Sequence, residues 1–272
     1  MTALSHPAQA AAAPPRPGSL RLLLANRLSA LGLLVFVLFA GAALLAPLLP
    51  LPHPDATAPA NRLQPLFSAG HPLGTDHLGR DMLARLLHGT RVSLAVGIGA
   101  TLVAALFGSL IGLLAGFAGR WTDSVLMRLV DMLMAFPYIL LALAIVAVLG
   151  PGLVNALYAI AIVNIPFFAR NIRGAVIGLS RQPFVDAARL SGKGPVAVLF
   201  TEILPGVLPV IVVAMSSTVG WMILETAGLS FLGLGAQPPA ADLGSMLGRR
   251  GRSSSSLLMW RWCRALPFSR SS

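Results

Sequence analysis

Acidic residues are scarce in this chain. Asp and Glu number 9 among 272 residues, and charged residues of both signs reach only 11%. A water-facing domain carries about a quarter charged residues, so an ordinary soluble surface is excluded. Lysine occurs once, at Lys193, and cysteine once, at Cys263. A lone cysteine excludes an internal disulfide. The phosphate-cradling pattern G-x-x-x-x-G-K-[ST] is missing, because Lys193 is followed by Gly194, and ATP binding by that route is excluded. His53, His71, His77 and His88 fall in or near one segment, but their spacing fits no standard zinc site. They read as surface histidines, and no metal is expected. No nucleophile–base pair stands out, so no catalytic residue is expected.

What is abundant is apolar. Hydrophobic residues make up 56% of the chain, and the mean hydropathy is +0.80. A membrane span needs about 20 apolar residues to cross roughly 30 Å of hydrocarbon. Five runs read as spans: 28–50, 93–119, 132–149, 153–169 and 206–224. The expected fold is therefore an all-α polytopic membrane bundle. Residues 1–20 are rich in Ala and Pro and precede the first run. A cleavable signal places its apolar region ahead of the small-residue cleavage site, so the first span is expected to remain as an anchor. The chain divides into a tail at 1–27, a first span at 28–50, an external segment at 51–91, a core at 92–248 and a basic tail at 249–272.

The formal net charge is +11. Nucleic acid is not the expected partner, because the basic residues lie between apolar spans rather than on one face. Anionic lipid and orientation in the bilayer account for them better. With the N-terminus in the cytoplasm, Arg16, Arg21, Arg27, Arg120 and Arg128 fall inside. So does the loop at 170–205, with Arg170, Arg173, Arg181, Arg189 and Lys193. The external segment sets Arg62, Arg80, Arg85 and Arg91 against Asp55, Asp76 and Asp81 and is nearly neutral. The positive-inside rule favours this topology.

Gly108, Gly112 and Gly116 recur every four residues in the second span, which leaves one helix face bare for close packing. Before that span, Met82, Leu83, Leu86 and Leu87 share a helical face, and the spacing predicts a short helix on the membrane surface, with Arg80, Asp81 and Arg85 away from most of that face. Glu225 sits at the end of the fifth span. An ionisable group at such depth faces a cavity or a partner, so it reads either as a gate or interface residue or as a carboxyl hydrogen-bonded at the span end. Asn155, Asn164 and Gln237 are weaker path-lining candidates. In the 170–205 loop, Pro183 suits the first turn of a helix, Gly192 its end, and Pro195 the start of a second short helix. A small-residue helix held out on a Gly turn suits insertion into a partner's groove; an ordinary basic loop is the other reading.

Asp186-Ala187-Ala188, then Gly192, then Ile203-Leu204-Pro205 resembles the EAA loop of bacterial ABC importer permeases. The run from His71 through Gly74, Asp76 and Gly79 to Arg80 and Asp81 resembles the external signature of the dipeptide/oligopeptide/nickel group. Glu225 through Gly235 to Pro239 is similar to the end of that group's fifth span. Together these motifs resemble the second permease type of such systems. The resemblance implies a non-catalytic pore subunit, paired with a second permease, that imports peptides or similar small solutes across the bacterial inner membrane. It implies two ATP-binding subunits, with ATP on those partners and no cofactor here, and a substrate-binding protein. Asp186, Ala187, Ala188, Arg189 and Gly192 are the implied coupling residues. Asp186 stands where the family usually has Glu or a small residue.

The chain departs from the family after Gly248. Residues 249–272 hold six arginines, no acid and no run long enough to cross a membrane, whereas the family has a sixth span. Back-translating Leu258 to Arg264 with GC-rich codons and dropping two bases gives His-Val-Ala-Leu-Val-Pro-Gly, which resembles the start of that span, so a shifted reading frame is expected. A secondary transporter working without ATP, or a non-functional truncated permease, are the alternative readings. The first would need internal repeats and coupling-ion sites.

Overall fold

The computed structural model describes residues 26–248. The basic tail at 249–272 and residues 1–25 lie outside the described residues. The chain divides into two units, 1–42 and 43–272. Helix α1 (Arg27–Leu45) accounts for the described part of the first. It opens on Asn26, whose side chain accepts from the Leu28 N–H at 3.0 Å, an N-cap that satisfies one orphan donor. No charge follows Arg27 within its 19 residues, which rise about 28 Å, close to the hydrocarbon thickness.

The second unit takes in the last residues of α1 and a 3-10 turn at Ala46–Leu48, then irregular chain from 49 to 81 broken by one 3-10 turn at Pro59–Asn61. Helix α2 (Met82–Phe117) follows as one unbroken helix of 36 residues. Next come α3 (Arg120–Met134), α4 (Tyr138–Leu149) and α5 (Leu153–Ser180). Two short helices, α6 (Pro183–Leu190) and α7 (Pro195–Val198), lead through a π turn at Leu199–Ile203 into α8 (Leu204–Phe231). A last short helix, α9, covers 243–248. Among the described residues there is no strand, only isolated bridges pairing Ser68 with His71 and Thr75 with Asp81.

Four stretches are long and apolar enough to cross a membrane, and the α3–α4 pair makes five if it counts as one bent span. The pair turns by 88° at Ala135-Phe136-Pro137. Proline disfavours helical geometry in the residue before it, so the apolar run expected at 132–149 forms only the 12-residue α4 beyond the turn. Two other expectations are also corrected. The predicted surface helix is not separate: its residues are the first turns of α2, and the boundary expected at 91/92 falls inside that helix. Ser93 and Thr101 interrupt the apolar pattern without interrupting helical hydrogen bonding, and at about 54 Å α2 is far longer than the hydrocarbon is thick. Likewise α5 runs on to Ser180, so Arg170 and Arg173 are helical rather than in the loop. Their charges are matched by α3: Arg170 pairs with Asp131 at 2.6 Å, and Arg173 with Asp123.

The core lies where α2, α4, α5 and α8 meet, and small side chains dominate it. Ala100, Ala104, Ala156 and Ala159 are fully buried with Phe168 and Met222. Lipid tails are as apolar as leucine, so membrane helices associate by close fit rather than by escape from water. The α2–α5 contact shows this fit. A Cβ on Gly108 would lie 2.5 Å from Phe168 Cβ, and one on Gly112 would lie 2.6 Å from the Ala169 carbonyl oxygen. A Cβ on Gly116 would meet Val176 at 2.8 Å. The three glycines thus form one stripe along α5. Gly112→Leu is expected to lower stability by about 3 kcal/mol, the upper range for overpacking where backbone cannot yield. Thermal unfolding of the purified chain in detergent would read this as a lower midpoint, whereas Gly178→Ala, where a Cβ meets nothing within 4 Å, should leave it unchanged.

Candidate functional site

The loop between α5 and α8 is built from two prolines and a glycine. Pro183 opens α6 with its missing N–H among the orphan donors of the first turn. Gly192 ends the helix at φ +85°, a left-handed conformation that other residues resist. Pro195 opens α7. Val185 and Ala188 of α6 are buried with Ile172 and Val176 of α5 and with Val198, Ile203 and Val207. These contacts anchor α6 to the bundle by one face. The opposite face stands free: Asp186, Ala187, Arg189 and Leu190 are exposed, Leu190 at 89%. Of the five coupling candidates, Asp186, Ala187, Arg189 and Gly192 are presented outward, and Ala188 points into the core. Lys193 Nζ reaches Glu202 at 2.5 Å, which ties the Gly192 turn to the π turn beyond it.

The second motif folds into a clasp over the start of α2. Asp81 caps that helix by accepting from the Ala84 N–H at 2.7 Å, while its other oxygen meets His71 Nδ1 at 2.7 Å. Asp76 accepts from the Leu78 and Arg80 backbone N–H groups at 2.8 and 3.0 Å and pairs with the Arg80 guanidinium at 2.6 Å. Gly74 and Gly79 both adopt positive φ, and a Cβ on Gly79 would lie 1.8 Å from the Ala58 carbonyl oxygen. All six signature residues therefore serve one folded turn. Burial alone would raise the Asp76 carboxyl. The hydrogen bonds from the Arg80 side chain, the Arg80 backbone and the Leu78 backbone outweigh it and hold the group below its ordinary value.

Arg80 and Arg85 were expected away from the apolar face; both are buried instead. Arg85 donates to the Pro54 carbonyl at 2.9 Å, to Asp55 at 3.0 Å, and to the Pro239 carbonyl at 3.4 Å. One guanidinium thus ties the 51–81 segment and the turn after α8 to α2, as its planar fork of five donors allows. Asp242 completes this end of the bundle. It is fully buried, accepts from Ser93 Oγ at 3.0 Å and from the Ser245 N–H at 3.1 Å, and so caps α9. Sequence reasoning counted Asp55 only in the charge balance and gave Ser93 and Asp242 no role, because the pairs Asp55–Arg85 and Ser93–Asp242 join residues far apart in the chain.

Glu225 lies on α8 and joins α5. Asn164 Nδ2 donates to it at 2.8 Å and Trp221 Nε1 at 2.5 Å. Asn164 therefore belongs with Glu225. Asn155 donates to the Leu149 and Gly150 carbonyls, and Gln237 to those of Gly233 and Gly235, so both staple turns. Trp221 was not picked out from the sequence, although its place one turn before Glu225 puts both on one face.

Two outcomes follow from the clasp. Arg85→Ala is expected to destabilise the protein by about 3 kcal/mol, the low end for breaking a buried ion pair, since Asp55 keeps some access to water. Limited proteolysis should then cut within 51–81. A carboxyl held low in the folded state stabilises fully above its unfolded value and loses that contribution as pH falls through its folded value. The thermal midpoint should therefore drop as pH falls below the ordinary Asp value of 3.8, and Asp76→Asn should flatten that drop in a detergent melt series.

Comparison with known proteins agrees with this architecture. Residues 108–254 match the family model described as binding-protein-dependent transport system inner membrane component. The chain is 47% identical over 222 residues to the dipeptide transport system permease protein DppC of Alkalihalophilus pseudofirmus, covering 82% of this chain and 73% of that one. It is 48% identical over 187 residues to the glutathione transport system permease protein GsiD of Pectobacterium atrosepticum, covering 69% and 62%. It is 45% identical over 175 residues to the di/tripeptide transport system permease protein DppC of Pseudomonas aeruginosa, covering 64% and 58%. The chain thus spans less than two thirds of the length of the last two relatives. It belongs to the family of binding-protein-dependent transport system inner membrane components, and is a multi-pass, all-α membrane permease of the ABC importer type.

Proposed function

We propose that this permease forms one half of the membrane path of an ATP-driven importer for peptides or peptide-like solutes such as glutathione. The relatives' names support the solute class. A second permease completes the path, a substrate-binding protein delivers the solute from outside, and two partner subunits bind and hydrolyse ATP. The N-terminus lies in the cytoplasm of a bacterial cell, on the side where the arginine-rich stretches fall, and the membrane is the inner one.

The observation that carries this reading is the two-sided character of α6. Its buried face, Val185 and Ala188, fixes it to α5 and α8. Its free face, with Asp186, Ala187, Arg189 and Leu190, has small and apolar groups open to a partner. A helix so mounted takes up motion of whatever grips it and passes it to the bundle without any acid, base or nucleophile of its own. ATP closes the partner pair, α6 moves with it, and the spans alternate between outward and inward openings.

Co-purification of the full assembly from membranes tests the docking face. The unaltered chain is expected to retain the ATPase subunit. Ala187→Arg and Gly192→Pro should lower retention about tenfold, equivalent to about 1.4 kcal/mol of binding, while the chain stays in the membrane. Gly192→Pro acts through φ, which proline fixes near −65°. Ala188→Asp should instead reduce the amount of folded chain, because it buries a charge. An unaltered chain that is stable in the membrane yet never retains an ATPase subunit would sink the reading.

A further inference from the structure

Glu225 stands out in the charge pattern of the described residues. Seven of the nine acids of the chain have a basic partner, and an eighth, Asp242, caps α9. Glu225 accepts only from neutral donors, Asn164 and Trp221, one to each oxygen. It sits six residues before the end of α8, about 9 Å by helical rise, inside the apolar stretch Pro195–Phe231. A carboxylate offers about four acceptor positions, and an intramembrane charge with free capacity faces a partner or a water-filled cavity.

A second observation concerns the face beside it. Tyr138 and Trp221 lie 6.4 Å apart between ring centres, tilted by 51°. Both rings are open, at 44% and 50% exposure. Tyr138 is the first residue of α4, directly after the 88° break. Non-helical backbone at membrane depth is tolerated only where protein covers it or water fills a cavity beside it. The break, the two rings and the carboxyl group therefore meet on one face. A carboxylate beside aromatic faces is the chemistry that holds an ammonium group, by ion pairing and by attraction to the ring quadrupole. Both oxygens are already held by fixed donors, so a passing cation is bound without being trapped, which passage requires.

We propose that Glu225, Trp221 and Tyr138 form a binding station on the translocation path for an ammonium group of the solute, such as the free amino end of a peptide. The proposal rests on the importer reading and deepens it. In proteoliposomes carrying the whole assembly, Glu225→Gln is expected to lower initial uptake of sub-saturating dialanine about tenfold, the scale of one cation–carboxylate and cation–π contact. Glu225→Asp should recover most of it, and the second permease should co-purify equally with all three forms. Undiminished uptake by Glu225→Gln overturns the proposal. Loss of the second permease overturns it too, because the charge then serves a joint between subunits. If the unaltered assembly carries no dialanine, the peptide reading has failed, and the station is read without a solute. In a Cys263→Ser background, Tyr138→Cys should react about tenfold faster with a cationic than with an anionic methanethiosulfonate reagent, the preference one nearby negative charge confers. Adding Glu225→Gln should abolish the preference, and an absent preference at Tyr138→Cys overturns the proposal.

Discussion

Helices in a bilayer gain little from hiding apolar side chains, because lipid tails would cover them equally well. What remains is shape, and the bare stripe of Gly108, Gly112 and Gly116 supplies it by letting α5 come into contact with the backbone of α2. Within the second unit, α3, α6 and α8 take their places from that pair. Helix α3 is fixed to α5 by two ion pairs, α8 lies against both long helices, and α6 hangs from the far end of α5 by Val185 and Ala188. A methyl group on any of the three glycines would push apart helices that carry sites at both ends.

Charge is handled by a different rule at each depth. At the α6 end, acids and bases meet on open surfaces, tightly for Lys193 and Glu202 at 2.5 Å and loosely for Arg189 and Asp186 at 3.5 Å. In the clasp they are buried, and each is surrounded by enough donors or acceptors to offset lost hydration: Arg85 has carbonyls as well as a carboxylate, and Asp76 has backbone N–H groups as well as a guanidinium. Within the span, Glu225 has neutral donors only. Paired charges thus build the frame, and Glu225, held by neutral donors, sits beside the α3–α4 break through Trp221 and Tyr138.

Local chemistry was legible in the sequence, and long-range geometry was not. Pro183, Gly192 and Pro195 marked the ends of α6 and α7, because cap and turn preferences depend on the residue itself. The glycine stripe was legible from its four-residue period. Five apolar runs were also legible, but their ends were misplaced wherever hydropathy and helical hydrogen bonding part company. Arg170 and Arg173 ended an apolar run without ending α5, and Pro137 ended a helix within an apolar run. The burial of Arg85 was out of reach, since it depends on Asp55, thirty residues before it, and on Pro239, far beyond. The external signature read only as a family resemblance, and its residues fold a turn; the chemistry of Asp76 and Asp81 is spent on caps and ion pairs.

The stretch from Pro195 to Phe231 is a single apolar helical piece of 37 residues. At 1.5 Å per residue it is a shaft of about 55 Å. Its near end is held beside the Gly192 turn by Lys193 and Glu202, and Glu225 rides close to its far end. Rocking such a shaft by about 5° about one end sweeps the other through about 5 Å, roughly the rise of one helical turn. On the importer reading, small strokes at the loop would arrive at Trp221 and Glu225 already magnified, with the leverage coming from length alone.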